Sequence, residues 1–350
     1  MHFASDNAGP AHPEVIEALA RANDGYAMPY GAEAGMEEVR ARLREIFEAS
    51  EAAVYLVATG TAANSLALAT LGEPWQTVFC TPVAHIHEDE CNAPEFFTGG
   101  AKLTLAGESD RMSAEALARA IEREESRGVH GPQRGPVSIT QATERGGVYT
   151  LEEIRALGEV AKGFGLPLHM DGARFANALV ALGATPAEMT WKAGVDAVSF
   201  GVTKNGCLGV EAVILFDPAK AWEFELRRKR GAHLFSKHRY LSAQMAAYLE
   251  GDLWLESARR ANVACARLAA GLRAAPGVRF LAEPAANMLF AEMPRATHLR
   301  LHEAGAQYYL WEGTLEGADP EEPLTARMVC DWSIADGEID RFVAIAQGRA

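Results

Sequence analysis

The chain has 350 residues, of which 49% are hydrophobic and 23% are charged, a composition typical of a globular protein with a buried core. Its formal net charge of −14 argues against nucleic acids and acidic membrane surfaces as partners. We see no signal peptide and no apolar run long enough to cross a bilayer. Because the five cysteines are scattered and show no CxxC spacing, we expect a reduced, cytoplasmic compartment.

The first two thirds of the chain alternate between amphipathic helices and short apolar strands, which predicts an α/β architecture with a mostly parallel sheet. Helices are predicted at residues 14–22, 36–49, 62–71, 114–126 and 151–163, and strands at 53–58, 77–80, 102–105, 137–140, 166–170, 197–201 and 210–216.

The pattern changes after about residue 241. A long Ala-rich helical stretch is predicted over residues 239–275. Strands at 277–281, 288–292 and 326–329 and helices at 296–304 and 336–346 follow it. This indicates a smaller C-terminal α+β domain, and we place the boundary between residues 1–245 and 246–350.

Two strand ends carry side chains suited to catalysis. Asp171 and Arg174 follow an apolar strand start, and ligands bind at the carboxyl ends of strands in open α/β sheets. Lys204 follows the strand 197–201, and burial at this strand end would favour the neutral, nucleophilic amine. The alternatives are an internal ion pair between Asp171 and Arg174, and a lysine that simply points into solvent.

A strand-to-helix turn at Gly60 and Thr61 could bind an anion through backbone N–H groups, or could be a tight turn with a threonine cap. His85, two residues before His87 and followed by acidic residues 88–90, fits a ligand-stacking histidine. A metal site is the weaker alternative, since an acidic run is usually solvated. We therefore predict no metal.

Two basic features of the sequence, a single arginine and a basic run, each have two interpretations. Arg327, near the start of a late strand, could reach a ligand carboxylate from the second domain, or could be exposed. The basic run 227–230, with Lys237 nearby, is either a solvated face or a phosphate contact offered to a neighbouring subunit.

Taken in order, these features resemble the L-threonine aldolase and β-eliminating lyase family of fold-type-I pyridoxal 5'-phosphate (PLP) enzymes. The resemblance rests on Ala4-Ser-Asp-Asn-Ala-Gly, Tyr30-Gly31, Gly60-Thr-Ala-Ala-Asn64, His85 with Glu90, His169-Met-Asp-Gly-Ala-Arg174 with Asn177, Lys204, and Ala326-Arg-Met-Val. It implies a transferase-like large domain with a mostly parallel seven-stranded sheet and a smaller C-terminal domain.

The resemblance also implies the role of each site residue. Lys204 would be the Schiff-base lysine, Asp171 the partner of the pyridinium nitrogen, and His85 the residue that stacks on the ring and assists proton transfer. Gly60, Thr61 and Thr203 would hold the phosphate, while Arg174 would border both cofactor and substrate. Ser5, Arg327 and Tyr30 would complete the substrate site. In the family this site lies between subunits of a homo-oligomer, so we expect a dimer or homotetramer.

The implied activity is retro-aldol cleavage of L-threonine, L-allo-threonine and related β-hydroxy-α-amino acids to glycine and an aldehyde. β-Elimination, transamination or a non-catalytic binding protein are the alternatives. One departure from the family is the stretch 141–147, Gln-Ala-Thr-Glu-Arg-Gly-Gly, which lacks a histidine that could act as the base. This leaves the base open and suggests a pocket that admits bulkier or aromatic substrates such as phenylserine.

Overall fold

The computed structural model describes residues 1–349, which form fourteen α-helices and eleven β-strands. The strands are β1 (Ala53–Val57), β2 (Gln76–Cys80), β3 (Lys102–Leu105), β4 (Gln133–Thr140), β5 (Leu168–Gly172), β6 (Ala197–Gly201), β7 (Glu211–Leu215), β8 (Arg279–Phe280), β9 (Met288–Pro294), β10 (Tyr309–Glu312) and β11 (Pro323–Val329). The helices are α1 (Pro13–Ala22), α2 (Ala34–Ile46), α3 (Gly60–Leu71), α4 (His85–Glu88), α5 (Ala93–Thr98), α6 (Ala114–Arg123), α7 (Leu151–Gly163), α8 (Phe175–Leu182), α9 (Pro186–Met189), α10 (Ala221–Arg230), α11 (Arg239–Leu249), α12 (Leu253–Leu272), α13 (Arg295–Glu303) and α14 (Asp336–Ala346).

A seven-stranded sheet has the order β1-β7-β6-β5-β4-β2-β3. Strands β3, β2, β4, β5 and β6 run parallel to one another, whereas β7 is antiparallel to both of its neighbours. Every residue of β1, β5, β6 and β7 is buried, as expected for strands covered on both faces. The predicted mostly parallel sheet is therefore confirmed, and its parallel strands bring the ends of β5 and β6 to the same edge.

A second, antiparallel sheet has the order β10-β11-β9-β8 and packs against its own hydrophobic core. This confirms a smaller α+β unit in the C-terminal part. The N-terminus joins this core, because Phe3 is fully buried in it. Strand β10 was not predicted, because its side chains are largely exposed and give no apolar alternation. The boundary near residue 245 falls within α11 and stays a prediction.

The helical stretch predicted over residues 239–275 is confirmed, with one break that was not predicted. It is two helices, α11 and α12, separated by Gly251 and Asp252 in the left-handed region at φ +57° and +61°. An Ala-rich composition favours helix on both sides, but it does not reveal a local break at a Gly-Asp pair. No helix within residues 1–349 combines the length and apolar character needed to cross a membrane.

Candidate active site

A cavity of about 350 Å³ opens at the carboxyl ends of β5 and β6, facing the start of α3. It brings together six of the residues predicted from sequence, although they are spread over more than 140 positions of the chain. These are Gly60, Thr61, His85, Asp171, Thr203 and Lys204. Asp171 lies at the carboxyl end of β5 and the others come after β1, β2 or β6, so the sheet places all six at one edge.

Asp171 is 3% exposed and its carboxylate is held by two neutral donors. Its Oδ2 accepts a hydrogen bond from the Asn64 side chain at 2.8 Å, and its Oδ1 accepts one from the Ala173 backbone at 2.9 Å. The alternative of an ion pair with Arg174 is wrong, because Arg174 pairs elsewhere. Asp171 is thus oriented towards the cavity without a cationic partner of its own.

Asn64 extends this contact to His85 through Glu90. The same Asn64 amide donates to Glu90 Oε1 at 2.9 Å, and that oxygen lies 2.8 Å from His85 Nδ1. The hydrogen bond to Glu90, followed by the charge of Asp171, raises the pKa of His85 against the effect of burial. His85, Glu90, Asn64 and Asp171 therefore form one continuous polar chain along the cavity.

The interpretation of residues 88–90 as a solvated acidic run is wrong for Glu90. His85 and His87 lie in the short helix α4, not at alternate strand positions, and the Glu90 side chain is fully buried while Glu88 and Asp89 are exposed. The hydrogen bonds from Asn64 and His85 to the Glu90 carboxylate offset the cost of burying it. Within the part of the chain that the structure describes, no group of three or more potential ligands could hold a metal.

Lys204 lies in a 3-10 turn directly after β6 and lines the cavity, so it is not a freely solvated side chain. Burial, followed by the positive charge of Arg174, lowers its pKa, which favours the neutral amine. Glu211 lines the same cavity and accepts the Val202 backbone N–H at 2.6 Å. Burial raises the pKa of Glu211 to about 7.

The anion-binding turn is the start of α3. Thr59 caps this twelve-residue helix by accepting the Ala62 backbone N–H at 3.2 Å, so the predicted threonine cap is present and is Thr59. A Cβ built on Gly60 would meet no atom within 4 Å, which shows open space beside the helix start. Backbone N–H groups and the positive end of the helix dipole therefore face the cavity. Thr203, across from them, exchanges hydrogen bonds with the Val210 backbone.

Arg174 is not among the residues that line the cavity and forms a bidentate ion pair with Asp6. Its Nε and Nη2 donate to the two Asp6 oxygens at 2.7 and 2.9 Å.

Arg327, on β11, is partly buried, which rules out the fully exposed alternative. Burial and then the charge of Arg174 lower the pKa of Arg327, so the two guanidinium groups lie within electrostatic range. Ser5 precedes Asp6 and accepts the backbone N–H of Asn7, a cavity residue.

Tyr30 is not in this cavity. It is 47% exposed on the loop before α2, with the Lys229 amine 4.9 Å from its ring centre.

The interpretation of the basic run as one solvated face is wrong for Arg228, which is 1% exposed. Arg228 donates to Glu225 at 2.9 Å and to the Leu56 carbonyl at 3.2 Å. One arginine of this run is therefore a structural residue of its own subunit.

Sequence reasoning assigned no site role to Asp6, Asn64, Glu90, Glu144 or Glu211. Asn64 and Glu90 both stand in segments that carry the family resemblance, Gly60-Thr-Ala-Ala-Asn64 and His85 with Glu90, but neither side chain was assigned a role. Glu144 lies in the stretch 141–147 that lacks the family histidine. Its Oε1 accepts from the Thr140 hydroxyl at 2.7 Å and from the His85 backbone at 3.0 Å, and burial raises its pKa to about 7.

Comparison with known proteins places this chain in a family. Residues 2–295 match the β-eliminating lyase family. A low-specificity L-threonine aldolase of Pseudomonas aeruginosa is 40% identical over 350 residues, covering 99% of this chain and 96% of that protein. The solved threonine aldolase of Leishmania major is 26% identical with a TM-score of 0.92, covering 99% of this chain and 98% of that one.

A serine palmitoyltransferase from S. paucimobilis, solved with bound PLP, shares the fold alone, with 16% identity and a TM-score of 0.71 over 100% of this chain and 87% of that one. The fold of this chain is accordingly the predicted fold-type-I one. With a family match over most of its length and a full-length relative at 40% identity, the chain belongs to the β-eliminating lyase family.

Proposed function

We propose that this protein is a PLP-dependent aldolase that cleaves L-threonine, L-allo-threonine and related β-hydroxy-α-amino acids, phenylserine among them, to glycine and an aldehyde. The relatives named as low-specificity L-threonine aldolases support this reaction. The observation that carries the proposal is a single cavity lined by Lys204, Asp171 and His85 at the start of α3.

The residues present fit PLP. Open space beside Gly60 and the free N–H groups of the helix start suit a phosphate. Two buried oxygens in the polar chain, Asn64 Oδ1 and Glu90 Oε2, have no partner among the described residues, as expected of a site built around a further group. Lys204 would attach the cofactor, Asp171 would hold its ring nitrogen protonated, and Gly60, Thr61 and Thr203 would hold its phosphate.

Bound PLP supplies an electron sink for cleavage of the Cα–Cβ bond, and the protein supplies orientation and proton transfer. In our proposal Arg174, Arg327 and Ser5 bind the substrate carboxylate, which fixes the direction of the scissile bond. His85 would stack on the cofactor and would accept the β-hydroxyl proton of the substrate. Because Glu90 engages its Nδ1, Nε2 is the nitrogen left to accept that proton.

We extend the proposal to assembly and compartment. A homo-oligomer, most simply a homotetramer, with each site completed by Tyr30 of a neighbour, is supported by the exposed large side chains Tyr26, Met28 and Tyr30 on one loop. A cytoplasmic location is supported by the five cysteines, which are all free thiols.

The test is product analysis with the PLP-loaded protein. L-Threonine, L-allo-threonine, L-phenylserine and their D enantiomers are supplied separately, and glycine and the matching aldehyde are the expected products of the L substrates. Ammonia and a keto acid in their place would refute the proposal. Lys204→Ala should lose both the activity and the borohydride-sensitive visible absorbance of bound PLP. The matched variant Lys192→Ala, on an exposed pair with Glu48, should keep both.

A further inference from the structure

Asp6 has no role in the proposed chemistry, yet it is one of the most completely engaged side chains near the cavity. It is 5% exposed, and both of its oxygens accept from Arg174, at 2.7 and 2.9 Å. Oδ2 also accepts from the Asn287 amide at 3.2 Å. Burial alone would raise the pKa of Asp6, but the charges of Arg174 and Lys204 lower it, so the residue is an anion at neutral pH.

Asp6 joins the two sheets. The N-terminal segment is anchored to the small sheet, because the Val329 backbone donates to the Phe3 carbonyl at 2.8 Å. Asn287, just before β9, donates to the Cys330 carbonyl at 2.8 Å, and the Cys330 N–H returns a bond of 2.8 Å. Arg174, in contrast, follows β5 of the large sheet. The Asp6 carboxylate thus ties the position of Arg174 to the sheet that carries Arg327.

This contact determines which donors Arg174 has left. Of its guanidinium nitrogens, Nε and one hydrogen of Nη2 are used by Asp6, which leaves Nη1 and the outer edge of Nη2. A guanidinium is planar, so two bonds to one carboxylate fix the direction of the remaining donors. After burial, the charge of Arg174 is the largest cause that lowers the pKa of both Arg327 and Lys204, so its guanidinium lies within electrostatic range of these two groups.

We propose that Asp6 is a positioning residue that, held by Asn287, aims the free edge of Arg174 at the substrate carboxylate. This inference rests on the proposed function, in which Arg174 binds that carboxylate. A buried ion pair is weak evidence for a role in stability alone, because its desolvation offsets its attraction. A positioning role differs from a structural one in a measurable way: it affects ligands that carry a carboxylate and spares those that do not.

The experiment compares glycine with methylamine, which has the same amine but no carboxylate. Binding of each to the PLP-loaded protein is followed by the change in visible absorbance. In Asp6→Asn, glycine should bind about 10- to 100-fold more weakly, the loss expected for a misaimed contact, and methylamine should bind as in the wild type. Asp6→Glu, which keeps the charge, should recover part of the glycine affinity.

The matched control is Asp336→Asn, the same change in an exposed pair with Arg267, which should leave both affinities unchanged. Equal glycine affinity in Asp6→Asn and wild type, or equal losses for glycine and methylamine, would overturn the inference. If Asp6→Asn does not fold, Asn287→Ser takes its place, with a severalfold loss for glycine alone expected and unchanged binding as the contrary result. A wild type that binds glycine but releases none from L-threonine would refute the proposed function instead.

Discussion

Replacing Glu144 by Gln should remove a pH-dependent loss of stability. The ordinary pKa of this carboxyl group is 4.5, and burial raises it to about 7 in the folded protein, against the hydrogen bonds from Thr140 and the His85 backbone. The folded state therefore binds the proton more tightly than the unfolded state, so stability is greatest below pH 4.5 and falls as the pH rises to 7. A difference of 2.5 pH units corresponds to about 3 kcal/mol.

The Gln variant cannot ionise, so this loss should vanish. Its amide still offers an oxygen to Thr140 and His85, while its buried NH₂ group adds a cost of about 1–3 kcal/mol that is the same at every pH. The signature is therefore the change in the free-energy difference between variant and wild type from pH 5 to pH 8, expected at about 2–3 kcal/mol in favour of the variant.

Urea unfolding of the PLP-loaded proteins at pH 5, 6, 7 and 8, at one protein concentration, measures this difference. The exposed Glu152→Gln is the matched control and should track the wild type at every pH. A Glu144→Gln curve parallel to that of the wild type over this range would show that Glu144 titrates near its ordinary pKa, and the argument from burial would be refuted.

Four further substitutions test other parts of the structure. Asn64→Leu removes the donor that the carboxylates of Glu90 and Asp171 share, so the free energy of unfolding in urea should fall by about 3 kcal/mol. PLP titration should show a lower affinity for the cofactor, and an unchanged affinity would contradict the role given to this amide. Arg228→Met should lower the unfolding midpoint clearly, because its buried guanidinium bonds Glu225 and the Leu56 carbonyl, and an unchanged midpoint would argue for a solvated side chain. Gly201→Ala brings a Cβ to 2.6 Å from Ala173 Cα and should lower the free energy of unfolding by about 1–3 kcal/mol. Gly60→Ala meets open space, so it should leave the stability of the unloaded protein unchanged while weakening PLP binding.

The predicted strands and most helices follow from local pattern, because apolar periodicity is a property of neighbouring residues. Strand β6 and helices α7 and α14 begin and end at the predicted residues. The short helices α4, α5 and α9 were not predicted, since four to six residues carry too little periodicity to identify a helix. The broken helix at Gly251 and the exposed strand β10 were missed for related reasons.

The sequence by itself determined that Lys204, Asp171 and Gly60 share the cavity. Asp171 lies at the end of a buried strand, and Gly60 and Lys204 follow buried strands, whose carboxyl ends meet at one edge of the sheet. Only the tertiary structure decided the partners of these residues. The pairing of Asp6 with Arg174 spans 168 positions, and that of Asn64 with Asp171 spans 107. Such contacts depend on how whole elements pack, because a buried charge or amide takes whichever partner the folded chain brings within reach, and no local pattern encodes that distance.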